Sequence, residues 1–253
     1  MAPPRPAGRL APRLLTTIPA LALLLVAGPA AAQSVSIDLG EGGSVAATSV
    51  QLIALITLLS LAPGIAIMVT CFPFMVTVLA ILRQAVGLQQ SPPNMLIVSL
   101  ALFLTYFVMD PVFTEAWQEG VQPLMDEQID VETAAVNTLA PFRDFMAGRA
   151  DPSTYDAMAE LRPDAAGTRL APEAPLSVLV PSFMLSEIAR AFQVGFLIFL
   201  PFLIIDLVVA AVLMSMGMMM VPPAIVSLPF KLAFFVIADG WSLLAGSLVR
   251  GYF

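Results

Sequence analysis

Four long apolar stretches limit what this chain can become: Val50 to Leu82, Met95 to Met109, Ala191 to Met214 and Ala224 to Val249. A helix needs roughly 20 apolar residues to cross a bilayer. The first stretch exceeds that, but Pro63-Gly64 and Pro73 interrupt it, which predicts a kinked or broken helix. The second is entered through Ser91-Pro92-Pro93-Asn94, a turn with a helix start just beyond it. Double prolines mark both short loops, Gln89 to Asn94 and Gly217 to Pro223. The expected fold is all-α and membrane-associated: two long helical hairpins with Pro-Pro turns, separated by an acidic external segment that is part helical and part irregular.

Composition supports a membrane setting. The chain is 59% hydrophobic and 11% charged, whereas a soluble domain is about 25% charged. Having no histidine removes the commonest metal ligand and general base, and with them the Ser-His triad. The single cysteine, Cys71, excludes an internal disulfide and a cysteine metal cluster, and its apolar surroundings suit a buried inert thiol. No glycine-rich phosphate loop is present, so nucleotide hydrolysis is not expected, and no cofactor or metal is implied. Nor is the chain basic enough to suggest nucleic acid.

Arg5, Arg9 and Arg13, the apolar run Leu14 to Val26, and Ala30-Ala31-Ala32 have the form of a cleavable signal peptide over 1–32. Its removal would leave 8 basic and 18 acidic residues. The expected organisation continues with an N-terminal segment at 33–49, a first hairpin at 50–110, an acidic segment at 111–180 and a second hairpin at 181–253. Residues 110–180 carry 13 acidic and 4 basic side chains, and a delivered N-terminus places them outside, in line with the positive-inside tendency. Within them, Leu139, Phe142, Phe145 and Met146 have helical spacing, and Asp151 to Pro175 reads as an irregular loop.

Two features of the apolar hairpins carry functional interest. The loop Met214-Ser215-Met216-Gly217-Met218-Met219-Met220 holds five methionines ahead of Pro222-Pro223. Unbranched thioethers re-pack around changing shapes, whereas an ordinary aqueous turn is built from Asn, Asp, Ser and Gly. The other feature is the set of ionisable residues in or beside apolar sequence: Glu187, Arg190, Asp206, Lys231 and Asp239. Each needs a partner or water. Glu187 and Arg190 are three apart and can pair on one helix face. Lys231 and Asp206 have no local partner, so theirs must come from elsewhere in the fold or from another subunit. Ser227 stands four residues before Lys231, a spacing too common to argue for a catalytic dyad.

Ser182-Phe183-Met184-Leu185-Ser186-Glu187, Phe199-Leu200-Pro201-Phe202-Leu203-Ile204-Ile205-Asp206, Met216 to Pro223, and Ser227-Leu228-Pro229-Phe230-Lys231-Leu232 together resemble the FliP family, the core export-gate subunits of flagellar type III secretion. Arg83-Gln84-Ala85 and Gln89 to Asn94 fit as well. The injectisome relatives share this core but usually lack a leader peptide, which favours the flagellar branch. The resemblance implies a non-enzymatic bacterial inner-membrane protein at the flagellar basal body. It would form a ring-like helical stack of about five copies with FliQ-like and FliR-like gate subunits, near FlhA-like and FlhB-like export components. The assembled gate would be displaced toward the periplasm and would pass unfolded flagellar substrates. Met218, Met219 and Met220 match the pore gasket, and Glu187 and Lys231 match residues that tie neighbouring subunits together; Arg190, Asp206 and Asp239 are buried charges without an assigned role. Asp151 to Pro175 matches no family motif. The alternative is a self-contained ion or solute transporter with Asp206 and Lys231 in the path.

Overall fold

The computed structural model describes residues 45–87 and 92–253. The expected leader at 1–32, the segment following it to residue 44, and Gln89 to Ser91 of the first loop lie outside the described residues. Every regular element among the described residues is helical.

The first apolar stretch forms two helices, α1 (Val45–Met68) and α2 (Phe72–Val86). The break falls at Val69–Cys71, beyond the Pro63-Gly64 pair, and Pro63 is carried inside α1. Pro73 lies in the first turn of α2, where a proline's missing N–H has no helical partner to lose. α3 (Asn94–Ala116) begins directly after Pro93, and the Arg83 guanidinium at the end of α2 donates to Asn94 Oδ1, tying the two ends of the first loop together. α3 does not stop at Met109. It passes over Pro111 and through a π-helical turn, Trp117–Val121, into the short α4 (Gln122–Met125).

In the acidic segment the patch Leu139 to Met146 lies within α5 (Val131–Arg149). The stretch Asp151 to Pro175 is less irregular than its composition suggests, because Pro152–Glu160 forms α6. Asp151 caps that helix by accepting the Thr154 N–H at 2.9 Å, and Pro152 occupies its first turn. The Ser153 hydroxyl, with the Thr154 groups, holds the Asp151 carboxyl below the usual range.

The third stretch is one helix of 40 residues, α7 (Leu176–Ser215), with Pro181 and Pro201 inside it. At about 1.5 Å per residue it is roughly 60 Å long, twice a hydrocarbon core. Its N-terminal part packs Val178, Leu179 and Phe183 against Met146, Tyr155 and Ala159 of α5 and α6. The next part packs Ala191 and Phe202 into the main core with Phe74, Met75, Val78, Leu79 and Leu82 of α2 and Ala101, Leu104 and Val108 of α3. The i, i+3, i+4 spacing on α2 puts those side chains on one stripe.

The fourth stretch bends by 62° between α8 (Pro223–Ile237) and α9 (Gly240–Arg250). α1 from Ser49, α3 with its continuation, and α7 are each long and apolar enough to cross a membrane, and α8 with α9 makes a fourth if taken as one span. The exposed surface is correspondingly greasy: Leu58, Phe103, Phe196, Leu197 and Leu207 are all at least half exposed.

α2 and α7 approach closely because Gly195 faces Ile81. A Cβ at Gly195 would stand 2.4 Å from Ile81 Cδ1 and 3.2 Å from its Cβ. Gly195→Val is expected to cost about 1–3 kcal/mol by overpacking. Ile81→Val, which removes the δ-methyl, should recover part of that loss; denaturant midpoints of the two variants and their combination measure it.

Candidate functional site

The hairpin of α7 and α8 ends in a turn whose backbone is closed on itself. Gly217 adopts φ 74°, a left-handed conformation that costs glycine nothing. Its N–H donates to the Met214 carbonyl at 3.1 Å, and the Met218 N–H to the Leu213 carbonyl at 3.0 Å. This pairing satisfies two of the carbonyls left open at a helix end. Pro222 and Pro223 then start α8, where an N–H is not needed. The turn is therefore fixed while its side chains are not: Met219 is 85% and Met220 97% exposed, and Met218 is partly exposed. None of the three fills a core gap of its own chain.

Further along the hairpin, Lys231 and Asp206 face each other. Lys231 Nζ donates to Asp206 Oδ2 at 2.6 Å and to the Ala85 carbonyl at 3.1 Å, and Ser227 Oγ donates to Asp206 Oδ1 at 2.6 Å. Ala85 is in the last turn of α2, so the ammonium also completes a helix C-terminus, where positive charge is favoured. Lys231 is buried and Asp206 about one-third exposed.

Glu187 is fully buried on α7. Its Oε1 accepts from Arg149 Nε at 3.1 Å and from Arg190 Nη1 at 3.0 Å, and its Oε2 accepts from the Tyr252 hydroxyl. Arg149 also donates to the Gly251 carbonyl at 2.9 Å and lies 4.0 Å from the centroid of the Tyr252 ring. Burial, and then the neighbouring carboxylate, pushes Tyr252 far above the ordinary phenol range, so its hydroxyl stays a donor. One carboxylate thus joins the end of α5, the N-terminal part of α7 and the residues after α9.

These contacts change the expectation for Glu187 and Lys231. The predicted Glu187–Arg190 pair is present. The resemblance implies that Glu187 and Lys231 tie neighbouring subunits together; within this chain each already has a partner, Glu187 the two arginines and Lys231 the Asp206 carboxylate. Helical spacing reads only one turn ahead, whereas the hairpin brings together residues 25 positions apart. Asp239 is exposed, not buried, and sits at the α8–α9 bend with φ 48°, a conformation that aspartate tolerates better than most residues. Arg149 and Tyr252 were missed, since nothing in their spacing points to Glu187. Cys71 is buried, and burial pushes its thiol up to about 12, so it stays protonated.

Comparison with known proteins places this arrangement. A model of the FliP family matches residues 55–248. The flagellar biosynthetic protein FliP of Caulobacter vibrioides is 49% identical over 240 residues, covering 94% of this chain and 90% of that protein. The proteins of that name from Agrobacterium fabrum and Rhizobium meliloti are 48% and 46% identical over 95% and 92% of this chain, and 99% and 96% of their own lengths. With matches of that extent, the family model taking in the methionine turn and Arg149, Glu187, Arg190, Asp206 and Lys231, the chain belongs to the FliP family.

Proposed function

We propose that this chain is a core pore-forming subunit of the flagellar type III protein export gate in the bacterial inner membrane. Copies of it assemble with FliQ-like and FliR-like subunits and pass unfolded flagellar proteins, without chemistry of their own. The observation that carries this reading is the methionine turn: three exposed thioethers on a closed backbone, at the tip of a hairpin with a membrane-length arm. Apolar, flexible side chains at a constriction exclude water and ions, yet part around an extended polypeptide. Leucine or valine would seal but fit a changing cargo less well, and aspartate would hydrate the gap.

The test is ion conductance across a bilayer holding the assembled complex, run beside secretion of a flagellar substrate. Replacing Met218, Met219 and Met220 together by alanine should raise conductance and leave assembly intact. Replacing them by phenylalanine should slow secretion. Unchanged conductance in the alanine variant would return these residues to ordinary packing and remove the main support for the pore.

A further inference from the structure

The Glu187 cluster has a surplus of positive charge. Two guanidiniums, Arg149 and Arg190, face one carboxylate, and no other ion pair engages either of them among the described residues. Arg190 is 36% and Arg149 17% exposed at the side chain. Arg190 spends Nη1 on Glu187 and Nη2 on the Arg149 carbonyl, which leaves Nε and the remaining hydrogens of its five donors to point elsewhere.

A half-open cavity of about 360 Å³ begins at these arginines and Tyr252. That volume falls within the usual range for small-molecule sites. Its walls are apolar: Val194, Leu197 and Ile198 follow Arg190 along one face of α7, and Leu243, Leu244 and Leu248 line the α9 side. The cationic end coincides with the start of the apolar run Ala191 to Met214, and arginine and tyrosine are side chains that favour a boundary between apolar and aqueous surroundings. One end of the cavity therefore suits a fixed anion, and the rest suits a hydrocarbon chain lying along α7.

We propose that this groove holds an anionic phospholipid, its phosphate on the Arg149–Arg190 rim and one acyl chain along Val194, Leu197 and Ile198. Basic pockets between membrane helices select anionic headgroups in this way, because charge-assisted bonds to phosphate strengthen as water is excluded. A zwitterionic lipid with the same chains fills the groove but leaves the surplus charge uncompensated.

The experiment uses the full chain, purified in its complex, stripped of lipid by detergent and titrated with phosphatidylglycerol or with phosphatidylcholine of matched chains. Bound lipid per chain is counted by native mass spectrometry. Phosphatidylglycerol should be retained at least about tenfold better than phosphatidylcholine. Arg190→Gln should lower its affinity by roughly tenfold, the loss expected for one charge-assisted bond. Leu197→Trp blocks the groove from a position that is 64% exposed, so the fold should survive, and it should give a similar loss with every charge in place. Inorganic phosphate at equal concentration should compete poorly. Equal retention of the two lipids, full retention in both variants, or displacement by inorganic phosphate alone would overturn the proposal. So would a cross-link from a cysteine at position 197 to another polypeptide, which would make the groove a protein contact.

Discussion

Replacing Glu187 by alanine should destabilise the folded chain by about 3–5 kcal/mol, the usual cost of removing one member of a buried ionic group. The carboxylate is 0% exposed and serves three donors from three parts of the chain. Its loss leaves two guanidiniums facing each other with nothing between them. Arg190→Ala should cost less, about 1–3 kcal/mol, because Glu187 keeps Arg149 and the Tyr252 hydroxyl. The cluster also pins the residues after α9, so the two substitutions differ in a second way. Amide hydrogen exchange at Gly251 and Tyr252 should quicken strongly in the Glu187 variant and little in the Arg190 variant. A Glu187→Ala chain with the parental denaturant midpoint and the parental exchange rates would show that the cluster does not hold the fold.

Most of the architecture was readable because helices of membrane length are written in long apolar runs. The double prolines marked where the following helices begin, at Asn94 and at Pro223. The position of a proline relative to a helix start was harder to read. Pro63 lies deep in α1 without breaking it, while Pro73 follows a break that falls three residues ahead of it. The run Asp151-Pro152-Ser153-Thr154 did contain a helix start, an aspartate cap followed by proline, and the surrounding Pro and Gly obscured it. For the charges, the missing idea was symmetry about the turn. Asp206 is 12 residues before Met218 and Lys231 is 12 after Met219, so an antiparallel hairpin folded at that point must bring them level. Arg149 and Tyr252 had no such rule to reveal them. They are 38 and 65 residues from Glu187 and reach it only because α5, α7 and the end of the chain pack at one place.

The Asp206–Lys231 pair should show an asymmetry that follows from its burial. Asp206→Ala strands a buried ammonium whose remaining partner is the Ala85 carbonyl, and should cost about 3–5 kcal/mol. Lys231→Met leaves a carboxylate that is 34% exposed, still accepts from Ser227 and can turn to water, so the loss should be nearer 1–2 kcal/mol. Combining Asp206→Leu with Lys231→Met removes both charges and keeps the volume, and should return most of the stability, since a buried ion pair is often no better than apolar packing of the same size. Denaturant midpoints of the single and double variants give the coupling directly. The same double variant separates the two functional readings. If the pair only fastens α8 to α7 and to the end of α2, secretion should recover along with stability. If the pair lies in the path of a transported ion, the stable double variant should be inactive. Equal losses for the two single variants would mean that the ammonium is not buried in the assembled protein, and the asymmetry argument would fail with it.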